Sequence, residues 1–287
     1  MVNNIKTINR QVHRRLMEAL PSDSELRMKL DLCGTDSLGY FYTCRQPACF
    51  HCRRRYVARQ TKAALDRFAG CRRGDLSFLT VVFDPAYDVA DIEGVVARAR
   101  PTIRNIFAKH RRGSRRWRKA QLLGWIEVDA LCGDDVPGLG NERAGLLDAM
   151  GVQLRPERPT YLPTLHAVIA HEGLDWQEVR DAFSEKWTAA RQVHVRPLYG
   201  HQPVEKSIGC IVRYVMKRTC TTSLIGTKDI WPTSWLVEFE TWTASWSRSF
   251  QSLKVSVGPS KGTKTISAPS VAHVVSDSDY GVMPIAF

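Results

Sequence analysis

"TLHAVIAH", residues 164–171, is a short apolar run that carries two histidines and opens on a threonine. Its length and its β-branched and aliphatic content read as a strand. Side chains alternate along a strand, so Thr164 and His166 share one face while Leu165 and Ala167 take the other. Two stretches upstream have the same character: "LSFLTVVFD", residues 76–84, reads as a buried strand, and "LLGWIEVDA", residues 122–130, as another. If the strand of 122–130 neighbours that of 164–171, His166 falls beside Glu127. A lone strand histidine is more often a satisfied interior residue than a ligand, so the pair gains meaning only from its surroundings.

Helical patterns fill the chain around these strands. Ile8, Val12, Leu16 and Leu20 recur at steps of four and predict an amphipathic packing helix. A second helix follows over residues 53–70, with Gly70 as its stop, and a third over 91–110, where Pro101 marks a start or a kink. Residues 175–191 predict a helix with the short strand "VHVRPL" behind it, and 204–219 another, weakened by Gly209. The connection 132–159 is too long for a hairpin and reads as a surface insertion. Trp231, Trp235, Trp242 and Trp246 mark one face of the last helix, which suits core packing better than base stacking. The polar, Gly-, Ser- and Pro-containing end, residues 256–287, reads as a flexible tail. Residues 1–70 are thus expected to form an N-terminal helical and cysteine-bearing part, and 71–255 the main domain.

The chain has 287 residues, 41 Lys and Arg against 29 Asp and Glu, and a formal charge of +12. Such an excess makes a polyanion the first partner to consider. No stretch has the length of a signal peptide's apolar core or of a membrane span, so a cytoplasmic protein without a membrane partner is expected. No GxxxxGK[ST] phosphate loop is present, which argues against an ATP-driven motor.

"TCRQPACFHCRRR", residues 43–55, packs Cys44, Cys49 and Cys52 into nine positions. In a reducing compartment that spacing favours a metal thiolate, and structural zinc needs four ligands. Cys33 is the leading fourth ligand and His51 its rival. Zinc here would staple a segment whose own core is small and would aim Arg53, Arg54 and Arg55 in one direction, where they could meet phosphates. A solvated helix face explains those arginines equally well. "KHRRGSRRWRK", residues 109–119, groups Arg115, Arg116, Trp117 and Arg118 and could grip single-stranded DNA by charge and stacking, with a solvated linker as the alternative. In "CIVRYVMK", Cys210, Tyr214 and Lys217 fall at i, i+4 and i+7 on one helix face. A tyrosine hydroxyl is a poor nucleophile until a base, a metal or a cation such as Lys217 assists it.

In order, "CG" at 33–34, "CRQPACFHCRRR", "FLTVVFD", "GWIEVD", "LPTLHAVIA" and "RYVMK" resemble the motifs of rolling-circle replication initiators of the Rep type 1 family, within the HUH endonucleases. The resemblance covers about Cys33 to Lys217. It implies an α+β fold in which a central antiparallel sheet, flanked by helices, carries the ligands of a catalytic Mg²⁺ or Mn²⁺, with an N-terminal zinc-binding segment. It further implies Tyr214 as nucleophile with Lys217 and Glu127 in support, His166 and Glu127 as ligands of the catalytic cation, and Cys33, Cys44, Cys49 and Cys52 on zinc. The substrate implied is a single-stranded or hairpin origin in supercoiled plasmid or phage DNA, with a host helicase and polymerase as partners. Two positions depart from the family pattern: Thr164 stands where a first histidine is usual, and Cys210 where a glutamate is common. Two other readings share part of these features. A non-catalytic zinc-stabilised DNA-binding protein would use the charge and cysteines alone, and an HUH transposase or relaxase would use the same chemistry on another target.

Overall fold

The computed structural model describes residues 2–37, 40–198, 200, 202–216, 220–221, 229–246 and 249–259. In chain order the elements are α1 (Val2–Ala19), α2 (Glu25–Leu32), β1 (Asp36–Ser37), β2 (Tyr40–Phe41), α3 (Phe50–Phe68), β3 (Leu76–Val82), α4 (Val89–Gly113), α5 (Arg115–Lys119), β4 (Gln121–Leu131), α6 (Asn141–Ala149), β5 (Thr160–Ala170), α7 (Trp176–Ser184), β6 (Val193–Pro197), α8 (Val204–Val215), α9 (Thr233–Ser245) and β7 (Lys254–Val257). The strands β6, β3, β5, β4 and β7 lie side by side in that order, and every neighbouring pair is antiparallel. Helices flank this sheet, so the chain has the expected α+β class with a central antiparallel sheet.

The sheet has two covered faces, and strand alternation decides which residue goes to which. Leu79, Val81, Leu122, Ile126, Leu165, Ala167 and Ile169 point to the face packed by α1, α4, α7 and α9. Phe78, Leu123, Trp125 and Val168 point to the other, where Tyr56, Ala64 and Phe68 of α3 meet Ile208, Ile211 and Val212 of α8. The expected division at residue 70 falls between α3 and β3, although both contribute to this second core. Gly124 has a specific role in the pairing. A Cβ there would lie 2.5 Å from the Cβ of Ala167 and from the His166 carbonyl oxygen, so only glycine lets β4 approach β5 beside His166.

Several expectations shift in detail. α4 begins at Val89 and runs through Pro101, which is therefore not its start. α7 stops at Ser184 rather than near 191, because Trp187 folds back onto Phe83 and Phe183 and the chain must turn to reach the edge strand β6. Its start is fixed by a capping box, in which Asp175 accepts from the Gln177 N–H at 3.0 Å and Glu178 accepts from the Asp175 N–H at 3.3 Å. The insertion 132–159 is partly helical: α6 packs through Leu147 onto a small cluster with Leu131, Leu139 and Leu162. Trp231 lies just before α9 and is fully buried against Tyr161 and Phe239, while Trp235, Trp242 and Trp246 pack on the same core. Residues 256 and 257, placed in the tail by composition, belong to β7; residues 260–287 lie outside the described residues.

Candidate functional site

The cysteine segment forms a compact cluster at the entry to α3. The Sγ of Cys33 lies 3.5 Å from that of Cys52 and 3.4 Å from that of Cys49, and Cys44 and Cys52 are 3.7 Å apart. All four sulfurs fall within 4.8 Å of one another. A tetrahedron with metal–sulfur bonds of about 2.3 Å would hold its sulfurs about 3.8 Å apart, so these four could hold a metal ion such as zinc with little movement. Cys33 therefore completes the cluster. His51 stays outside it, with an exposed side chain whose ring lies edge-on to Phe50.

Local folding explains the arrangement. Cys49 is the N-cap of α3, and its sulfur accepts the Cys52 N–H at 3.5 Å. Arg45 takes a left-handed conformation, φ 55°, which turns its N–H onto the Cys52 sulfur at 3.2 Å. The hydrogen bond from Cys44 holds the Cys49 thiol down at about 4, and the same bond drives Cys44 up. Burial pushes Cys52 up to about 11.

A second site lies on the sheet face under α3 and α8. Cross-strand register places His194, Thr80, His166, Trp125 and Lys254 in one row, and Val82, Thr164 and Glu127 in the next. His166 is 2% exposed; its Nδ1 is 3.1 Å from the Thr80 hydroxyl and its Nε2 is 3.4 Å from Glu127 Oε2. Phe78 stacks on the imidazole at 5.7 Å between ring centroids. From α8, the Tyr214 ring meets His166 edge-on, also at 5.7 Å. The sequence expectation that Glu127 neighbours His166 is met, and the tyrosine helix delivers Tyr214 to the same place.

Arg53, one residue past Cys52, is 6% exposed and lines a cleft with Tyr56, Trp125, Glu127, Asp129 and Met216. The three arginines do not form one patch. Helical periodicity turns Arg53 inward with Cys49, Cys52 and Tyr56, while Arg54 and Arg55 face solvent. The basic segment 109–119 fares differently again. Trp117 is 3% exposed, packed on Phe107 at 5.6 Å and on His110 at 4.7 Å in the core of the opposite face. A ring so enclosed has no open side for a base, which corrects the stacking role expected of it. Arg116 donates to the Gly173 carbonyl at 3.1 Å and Arg118 to that of Arg111 at 3.3 Å; Arg115 is exposed. None of the four is brought to His166.

Cys210 is buried and receives Arg213 Nη2 at 3.4 Å. Lys217 lies outside the described residues. Sequence reading missed Thr80, Asp129, Arg143 and His194. Asp129 was within reach, because it follows Glu127 by two on the same strand and so shares its face. Thr80 and His194 were not, because only the lateral pairing β6–β3–β5 puts them in the row of His166.

Among the described residues, only the cysteines bring three or more His, Cys, Asp or Glu ligand atoms together. His166 and Glu127 offer two donor atoms facing each other. No helix among the described residues is long and apolar enough to cross a membrane. Compared with known proteins, the chain matches no family model, no curated protein and no solved structure.

Proposed function

We propose that this chain is a replication initiator of the rolling-circle type, an HUH endonuclease that nicks one DNA strand at a plasmid or phage origin. The observation that carries the reading is the meeting of Tyr214 with His166, whose Nε2 is 3.4 Å from Glu127, on one sheet face beside a cleft that Arg53 enters. Those residues come from motifs in the order that suggested the family. The charge of +12 supports a polyanionic substrate.

In this reading the Tyr214 oxygen attacks a phosphodiester. A bond forms between that oxygen and phosphorus, the bond from phosphorus to the 3′-oxygen breaks, and the phenolic proton ends on the departing 3′-hydroxyl. The result is a 5′-phosphotyrosine link and a free 3′-end for a host polymerase, with a host helicase opening the duplex. The link conserves the energy of the broken bond, so rejoining needs no nucleotide hydrolysis. His166 and Glu127 would hold Mg²⁺ or Mn²⁺, which when bound offsets charge on the reacting phosphate. Thr80 fixes the imidazole by its contact with Nδ1, leaving Nε2 turned to Glu127. The four cysteines hold structural zinc, which fixes the start of α3 and hence the direction of Arg53.

The test is cleavage of supercoiled or single-stranded DNA from the replicon that carries the gene, with Mn²⁺ or Mg²⁺ added. Wild type is expected to give a covalent protein–DNA adduct and Tyr214→Phe none. Equal adduct from the two would overturn the nucleophile assignment, and no adduct from either would leave a zinc-stabilised DNA-binding protein.

A further inference from the structure

A second cleft opens beside the first, under the helix that the 132–159 insertion contributes. Val82, Leu146 and Leu162 form its apolar floor, and Glu142, Arg191 and His194 supply polar groups around it. Its volume, open mouth included, is about 480 Å³. Asp129 lines both clefts and is paired with Arg143 at 2.8 Å, so the two adjoin at that ion pair. Thr164 also lines the second cleft, and it stands directly opposite Glu127 in the strand register. Asp129 lies two residues after Glu127 on β4, so the new cleft borders the strand that carries the Glu127 carboxylate.

We infer that this cleft is a nucleotide subsite, which takes one unpaired nucleotide next to the cleaved phosphodiester and selects the base accepted there. The inference rests on the nicking reading for the identity of the strand, but its geometry is independent of Tyr214. Its lining mixes signs. A site for phosphate alone would present cations, whereas here the Glu142 carboxylate and the Arg191 guanidinium stand around the same apolar floor. A base edge needs both acceptors and donors, and a base face needs an apolar surface. Burial lowers the pKa of His194, with Arg196 acting the same way, so its imidazole is neutral near pH 7 and offers one donor and one acceptor. The threonine at 164 matters for the same reason. Its side chain is smaller than an imidazole and leaves more room in the cleft that it lines. Glu142 and Leu146 both come from α6, which gives the inserted segment a task that neither the sheet nor the cysteines supply.

The experiment selects bound sequences from a random single-stranded DNA pool with the full-length Tyr214→Phe chain, alone and combined with Glu142→Gln or His194→Ala. In parallel, wild-type chain is tested for the covalent adduct on the enriched DNA. The expected result is one base position, adjacent to the nick, whose discrimination falls about tenfold in both double variants while other positions keep theirs. Glu142 is exposed, so Glu142→Gln is expected to leave the fold intact, and thermal melting of each variant checks this. Discrimination unchanged at every position, or lost evenly across all of them, overturns the subsite. An adduct with unchanged discrimination overturns the subsite alone. Loss at a single position without any adduct supports the subsite and overturns the nicking reading, and a chain that enriches no DNA overturns both.

Discussion

The cysteine cluster and the His166 face are built in opposite ways. Cys33, Cys44, Cys49 and Cys52 are near neighbours in the chain, joined by turns and one helix start, and their sulfurs close to 3.4–3.7 Å in the pairs around Cys33 and Cys52. Thr80, Glu127, His166 and Tyr214 come from four different elements and meet only because β3, β5 and β4 are adjacent and α8 crosses them. The first arrangement is closed, with all four ligands supplied by protein, as a structural metal site requires. The second brings the His166 imidazole and the Glu127 carboxylate together, and Glu127 lines an open cleft. A local cluster tolerates change elsewhere in the fold, whereas a face assembled from distant strands fails whenever the register slips by one residue.

Substitutions should separate the two regions cleanly. The largest effect is expected from Tyr214→Phe, which should abolish the DNA adduct while leaving zinc content and melting temperature at wild-type values. Cys49→Ser should do the reverse in the first instance. It should lose the bound metal, as measured by elemental analysis, and lower stability to denaturant by about 4 kcal/mol or more, because metal binding and local folding are one event. Any loss of nicking should then follow from misplacement of Arg53 and α3. Trp117→Ala should cost about 3–5 kcal/mol in the same denaturation measurement, the penalty of emptying a buried aromatic site. A variant of unchanged stability with weakened DNA binding would show instead that Trp117 works at the surface.

Smaller effects sharpen the contrast. Thr164→His would add an imidazole opposite Glu127 and is expected to tighten Mn²⁺ binding about tenfold by titration calorimetry without DNA, about 1.4 kcal/mol. No change would show that position 164 does not face the cation. His51→Ala should leave one zinc per chain and alter stability by no more than about 0.5 kcal/mol, since its ring is exposed and outside the sulfur cluster. Loss of zinc in that variant would return His51 to the ligand set in place of Cys33.

Much of this was legible in the sequence where the signal is short-ranged. The three strands at 76–84, 122–130 and 164–171 declared themselves by length and β-branched content, and α1 by its four-residue steps. The cysteine spacing named its own cluster, although not the choice between Cys33 and His51, which depends on how the chain from α2 returns to α3. Trp117 misled because a tryptophan among arginines looks the same in sequence whether its ring faces solvent or the core. Lys186 to Arg191 has ordinary helical composition, so the sequence predicts a longer α7 than the one that forms, and only the burial of Trp187 against Phe83 breaks the helix there.

From the chain alone come the three central strands, α1, the spacing of Cys44, Cys49 and Cys52, the positive charge and the alternation that puts Glu127 and Asp129 on one face and His166 with Thr164. Those are consequences of periods of two and 3.6 and of ligand spacing within a turn or two. It took the folded chain to settle that Thr80 would steady His166, that α8 would bring Tyr214 to it, and that α6 would cover a second cleft. These depend on strand order and helix placement, which follow from burying both sheet faces at once and leave no mark at any one position of the chain.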